Sequence, residues 1–325
     1  MSEDDRNQVF HAVLPCPDLA EAIEFFTNRL GFRLEMIVPA DSPQAAVVYG
    51  QGIRLRLESG AVSEEHFDDG GLLISRMNSA DWHTGRAGMQ YRDLIPGRLG
   101  GQFIASHIRI PGGGETPDYV HYHKVRFQMI YCKAGWVRVV YEDQGEPFVL
   151  QPGDCVLQAP EIRHRVLESS AGLEVIEIGS PAVHETYVEH EMQLPTGRVL
   201  PERLFGGQRF VRHIAREATW TASPIAGCEQ RDLGIAAATN GLASARVHRA
   251  KQAAVATGFQ HHSGELLFFF VLNGELGLVT REAAKEQFAA GDSCVVPAGT
   301  EFSLEVGAGL ELLDVSLPAD QLLAG

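Results

Sequence analysis

The sequence has no surplus of positive charge, no long apolar run and no paired-cysteine motif, and each lack removes a class of function. Lys and Arg number 27 against 42 Asp and Glu, a formal net charge of −15. A nucleic acid would be repelled, with no counterion release to draw it in, so none is an expected partner. The longest apolar stretches, such as LLFFFVL at 266–272, fall far short of the ~20 residues of a membrane helix. No membrane partner is expected. The opening MSEDDRNQ is acidic and polar, unlike a secretory signal peptide. The five cysteines (16, 132, 155, 228, 294) form no CxxC. That pattern fits reduced, structural thiols and a cytoplasmic location. What is present is ordinary globular material: 325 residues, 45% hydrophobic and 21% charged, enough for two or three cores.

Residues 9–58 read as one βαβββ unit. VFHAVL is a strand, and Asp18 with Glu21 makes an acidic capping box. Leu19, Ala22, Ile23, Phe26 and Leu30 follow at helical spacing until Gly31 stops the helix. FRLEMIV, AAVVYG and IRLRLE then alternate like strands. The stretch HAVLPCPDLAEAIEFFTNRLGF (11–32) resembles the opening of the vicinal-oxygen-chelate (glyoxalase/bleomycin-resistance) family. The resemblance puts His11 at that family's first metal-ligand position and Glu58 at the ligand ending the last strand. Such sites draw ligands from two units and only one is visible, so the alternative is a structural or dimerising half-module.

The rest of the chain is written twice. Arg92-Asp93-Leu94 recurs as Arg231-Asp232-Leu233, and the same offset of 139 carries His121 to Gln260, His123 to His262, Gln128 to Leu267 and Gly135 to Gly274. Trp82 maps to Trp220 and Gly153-Asp154 to Gly291-Asp292 at 138. Short apolar runs punctuated by Gly and Pro fill each copy and read as a small antiparallel barrel. The expected organisation is mainly β: a half-module at 1–60, a linker at 61–80, one barrel at 81–194, a second linker at 195–215, and a second barrel at 216–325.

In the first copy His121 and His123 sit two apart on a strand, hence on one face. His164 follows at the end of APEIRH. Three converging imidazoles suit one divalent transition metal. The pattern Gly114, His121-x-His123, four residues, Gln128, six residues, Gly135, then Gly153 and His164, resembles the two motifs of the cupin superfamily. All three histidines match. Gln128 stands where the family has Glu, Ala159 where it has Pro, and Glu161 where it has Gly. Gln128 is therefore a weak ligand or a hydrogen-bonding neighbour of the metal. The resemblance implies a bicupin of two jelly-roll barrels. In the second, Gln260, Leu267 and Phe302 replace ligands, so Phe302 and Leu267 are expected in an apolar interior without metal.

Strand parity adds His107, Arg109 and Tyr119 as candidate substrate contacts, with Arg109 on a carboxylate. Period 2 leaves open which face is inside, and the alternative for Arg109 is a surface ion pair. Cupins with three His and no Glu, of the gentisate and diketone dioxygenase types, hold Fe(II). The resemblance thus implies a non-haem Fe(II) dioxygenase acting on a small organic acid or enol, with Mn, Ni, Zn or Cu as alternative metals. The rival readings are a redox-neutral isomerase or lyase and a non-catalytic small-molecule binder. The expected partners are a small-molecule substrate and a second copy of the chain in a dimer.

Overall fold

The computed structural model describes residues 12–60, 71–79, 81–85, 88–252, 255–319 and 322–324. It is built mainly of strands. The N-terminal unit runs β1 (Ala12–Cys16), α1 (Leu19–Glu24), β2 (Arg33–Val38), β3 (Ala45–Gly50) and β4 (Ile53–Ser59). Asp18 caps the helix, its carboxylate accepting the Glu21 N–H at 2.9 Å. The helix then widens into a π-type turn at Phe25–Arg29, with the Leu30 N–H reaching back to the Phe25 carbonyl. That wider turn shifts the helical register by a residue. Leu30 consequently leaves the apolar face and is exposed, and Phe32 fills the core edge-on to Phe26 at 5.3 Å.

The four strands order β1-β4-β3-β2, and the edge of β2 pairs with Thr186–Val188. An open strand edge carries a row of unpaired amides and carbonyls. The unit satisfies its own edge by adding to the first barrel, so one ten-stranded sheet runs through both.

Each copy of the repeat forms a jelly roll of two facing sheets. In barrel one, His121–His123, His164–Ser169 and Val137–Tyr141 face Phe127–Ala134, Leu173–Ser180 and Ile104–Ile110. Barrel two repeats the register. His121 lies opposite His164, and Gln260 opposite Phe302; Gln128 lies opposite Gly179, and Leu267 opposite Ser316.

The stretches expected as linkers prove to carry strands. β5 (Leu73–Ser75), before barrel one, pairs with Ser293–Val295 of barrel two. Val211–His213, before barrel two, pairs with Cys155–Leu157 of barrel one. Each copy thus donates its leading strand to the other, covering a sheet edge that would otherwise be left open. The trade is pinned symmetrically. Arg92 donates to the Gly291 carbonyl at 2.6 Å and Arg231 to the Gly153 carbonyl at 3.3 Å. Asp154 accepts from the amides of Gln151 and Ala215, and Asp292 from those of Ala289 and Met77. Gly153 and Gly291 turn at φ +92° and +93°, a region that glycine alone enters without strain.

The barrels share one core. Phe127, Met129, Tyr131, Ile176 and Ile178 pack in a single cluster with Leu266, Phe268, Phe270, Leu313 and Val315. Alternation then sends the intervening residues of these strands into each barrel's own interior.

Candidate metal centre

His121 and His123 point from one short strand into the interior of barrel one, and His164 enters from the neighbouring strand opposite His121. All three are buried, and their ligand nitrogens lie within 4.8 Å of one another. This is the one such group of His, Cys, Asp or Glu among the described residues. The His121 Nδ1–H donates to the Tyr119 carbonyl at 2.8 Å and the His164 Nδ1–H to the Ile162 carbonyl at 3.0 Å. A carbonyl only accepts, so Nδ1 carries the proton in both rings and Nε2 the lone pair. His123 Nδ1 bonds the Thr186 hydroxyl at 2.8 Å. The buried Asp118 carboxylate, held by the Val166 N–H, lies 3.6 Å from His121 Nδ1, and the Tyr141 ring stacks on His164. Such contacts orient imidazoles for a metal. Three imidazoles in this arrangement can hold one divalent transition ion.

Gln128 is hydrogen-bonded to two side chains that line the same cavity, Gln158 and Glu177. Its amide oxygen accepts from Gln158 at 3.0 Å, and its amide nitrogen donates to the carboxylate of Glu177. Tyr141 in turn donates to Gln158 Oε1 at 2.6 Å. A carboxylate also faces the cavity: that of Glu177, on Leu173–Ser180, a strand that pairs with Phe127–Ala134. The signal was present in LEVIEIG (173–179). Glu174 and Glu177 lie three apart in a strand, so one of them must face inward.

A fourth histidine also lines the cavity. His184 donates from Nδ1 to the Pro181 carbonyl and sets its ring edge-on to His123 at 5.5 Å. Burial pushes its pKa down, against the hydrogen bond to Pro181.

The cavity has a volume of about 110 Å³. Beyond the polar cluster its walls are Ile104, Ile108, Ile110, Ile130, Val139 and Val175 with other apolar side chains, and among the described residues no Arg or Lys lines it. Ala40 and Asp41, from the loop between β2 and β3, close part of the wall. Asp41 is anchored there by Arg98. The N-terminal unit therefore helps to shape the cavity of barrel one.

Two expected substrate contacts point elsewhere. In Ile104–Ile110 the isoleucines face the cavity, and alternation turns His107 and Arg109 away from it. His107 is buried between the barrels, where it donates from Nε2 to Glu174 at 2.8 Å, accepts from Arg92 at Nδ1 and meets Phe270 edge-on. Arg109 stacks 3.8 Å over Trp82 and donates to Gln90. Tyr119, the third, precedes the strand; its carbonyl accepts from His121 and its ring lies edge-on to that imidazole at 5.9 Å.

In barrel two, Leu267 and Phe302 are 2% and 0% exposed within an apolar cluster, as expected, and His262 donates to the Val296 carbonyl. His11 lies outside the described residues. Glu58, its expected companion, is paired with Arg56.

Comparison with known proteins agrees with this geometry. Residues 106–179 match the family model of the cupin domain. Residues 8–90 match that of the Glyoxalase/Bleomycin resistance protein/Dioxygenase superfamily. The class defined by fold and site is a two-barrel cupin with a glyoxalase-type unit at its N-terminus. Among solved structures the chain is similar to the Lactobacillus farciminis oxalate decarboxylase formate complex, with a TM-score of 0.57 and 14% identity over 82% of this chain and 89% of that one. It is also similar to Bacillus subtilis oxalate decarboxylase at pH 4.6, with a TM-score of 0.58 and 12% identity over 81% and 80%. No curated protein matches by sequence. No helix among the described residues is long and apolar enough to cross a membrane.

Proposed function

We propose that the chain is a metal-dependent enzyme of small-molecule metabolism. Its reaction is the dioxygenation of a compact, largely apolar enol or hydroxy-carbonyl compound at His121, His123 and His164. The observation that carries the reading is the three-imidazole cluster in a cavity walled mainly by apolar side chains. A bound divalent ion, Fe(II) for this chemistry, supplies Lewis acidity toward the substrate's oxygen donors and a redox partner for O₂. The protein's own residues do the rest. The isoleucine and valine walls exclude water and hold the hydrocarbon body. Gln158 and Glu177 sit at the polar end, where an oxygen-bearing head would lie.

The lining also limits the substrate. A dry apolar cavity of ~150 Å³ takes benzene, so about 110 Å³ admits a body of roughly that size or smaller. Oxalate, on which the similar decarboxylases act by name, is a dianion without a hydrocarbon part. Among the described residues, none that lines this cavity is an Arg or a Lys. The likeness to decarboxylases nevertheless keeps a redox-neutral lyase as the second reading.

Elemental analysis and an oxygen electrode test both. The expected result is one metal per chain, absent from the folded His121→Ala, His123→Ala, His164→Ala triple variant. Fe(II)-loaded protein should consume O₂ with small enolisable diketones or catechol-like compounds. Anaerobic turnover at the same rate would favour the lyase. Binding without turnover would leave a binding protein, and undiminished metal in the triple variant would refute the site.

A further inference from the structure

The repeat places an acid at the same point of both barrels, and the two barrels treat it differently. Glu177 lies between Ile130 on one neighbouring strand and Ser106 on the other. Its counterpart by register is Asp314, between Phe269 and Arg246. Barrel two thus sets a guanidinium-bearing residue across from its acid, and the His248 ring reaches Asp314 at 3.2 Å. In barrel one the facing residue is a serine. The acid instead lines the cavity that also holds His121, His123 and His164. A carboxylate that faces a cavity walled mainly by apolar side chains exerts its charge, little screened by water, on an ion held there.

Its setting is also directional. Tyr141 donates to Gln158, Gln158 to Gln128, and Gln128 to Glu177. Every amide in the series is fixed in one orientation, and the series ends on an acceptor. A Glu at position 128 would set two carboxylates against each other. A Gln there turns one carboxylate into place.

Resting on the metal reading above, we propose that Glu177 is the carboxylate of the centre. Its charge balances a divalent ion on the three histidines, and Gln128 is the residue that positions it. The negative group has moved from one strand to its neighbour, and the amide left behind steers it. The reciprocal swap, Gln128→Glu with Glu177→Gln, tests this directly because it keeps both hydrogen bonds. The carboxylate then stands at position 128, where it accepts from Gln158 as before and from the amide introduced at position 177.

Cobalt(II) alone is titrated into the full-length apo-protein and its variants, with melting temperature read in parallel and elemental analysis after dialysis against EDTA. Glu177→Gln should bind cobalt at least about tenfold more weakly, the scale of one nearby charge lost from a cavity. The double swap should return to the affinity of the wild type. If Glu177→Gln fails to fold while the swap folds and binds, the proposal still stands. Wild-type affinity in a folded Glu177→Gln overturns it and leaves the histidine centre intact. Weak binding in both variants, each folded, overturns it as well, because charge would not be the cause. Wild-type protein that takes up no cobalt would overturn the metal reading itself.

Discussion

In barrel one His121 faces His164 across a strand pair; in barrel two the same pair is Gln260 and Phe302. Around these positions almost everything else is shared. Both barrels have the donated leading strand, the arginine that pins it, the aspartate that ties down the turn and the glycine that makes it. What differs is the interior. Barrel two is closed by Phe269, Phe288 and Phe302, whereas barrel one keeps a cavity of about 110 Å³. By the measured cost of apolar voids, a space of that size forgoes on the order of 2–3 kcal/mol of packing. The shell of a jelly roll thus specifies the fold, and the residues inside are at liberty to specialise, one set for ligands and the other for packing.

The largest effect that would break this contrast lies at Phe302. Phe302→Ala should destabilise the protein by about 3–5 kcal/mol, seen as a lowered denaturation midpoint, with metal content unchanged. A metal loss would mean that barrel two takes part in the centre.

The shared face between the barrels gives a smaller effect, and an asymmetric one. Barrel one carries His107 there, where barrel two by register has Val247. The hydrogen bond from His107, opposed by desolvation and reinforced by Lys133, holds the Glu174 carboxyl down at about 2 from 4.5. A depressed folded pKa means stability that is fully present above the unfolded value. It is lost as pH falls from about 4.5 through 2. Since Glu174 is partly exposed, about 1–2 kcal/mol is a discounted figure. Urea titrations across that range should show the slope for the wild type and a flatter one for Glu174→Gln. Equal slopes would dissociate Glu174 from acid lability.

Arg109→Ala should have the smallest effect, within about 1 kcal/mol of wild-type stability. The Michaelis constant and metal content should not change, because Arg109 stacks on Trp82 and faces away from the cavity. A raised Michaelis constant would place it back at the site.

Much of this is legible in the residues alone. The repeat, the histidine spacing, the Asp18 cap and the filled second interior all follow from local pattern, and the structure has each of them. The misses have a common origin. Parity offers His107 and Arg109 to the site and passes over Glu177, because alternation says which residues share a face and not which face is inside. The linkers became strands because nothing within LIS or VRH says that an edge 200 or so residues away in the first case, or about 55 in the second, awaits a partner.

The amino-acid order by itself determined two similar β barrels, one with a three-imidazole set and one without, since spacing and composition are local properties carried along the chain. Tertiary structure alone decided that the Glu177 carboxylate faces the same cavity as the histidines, that His184 stands beside them and that Asp41 of the N-terminal unit closes the wall. Those outcomes depend on which sheet edges meet and which faces close on each other, and both are settled only when hydrogen-bonding edges and apolar faces are satisfied together across the whole molecule.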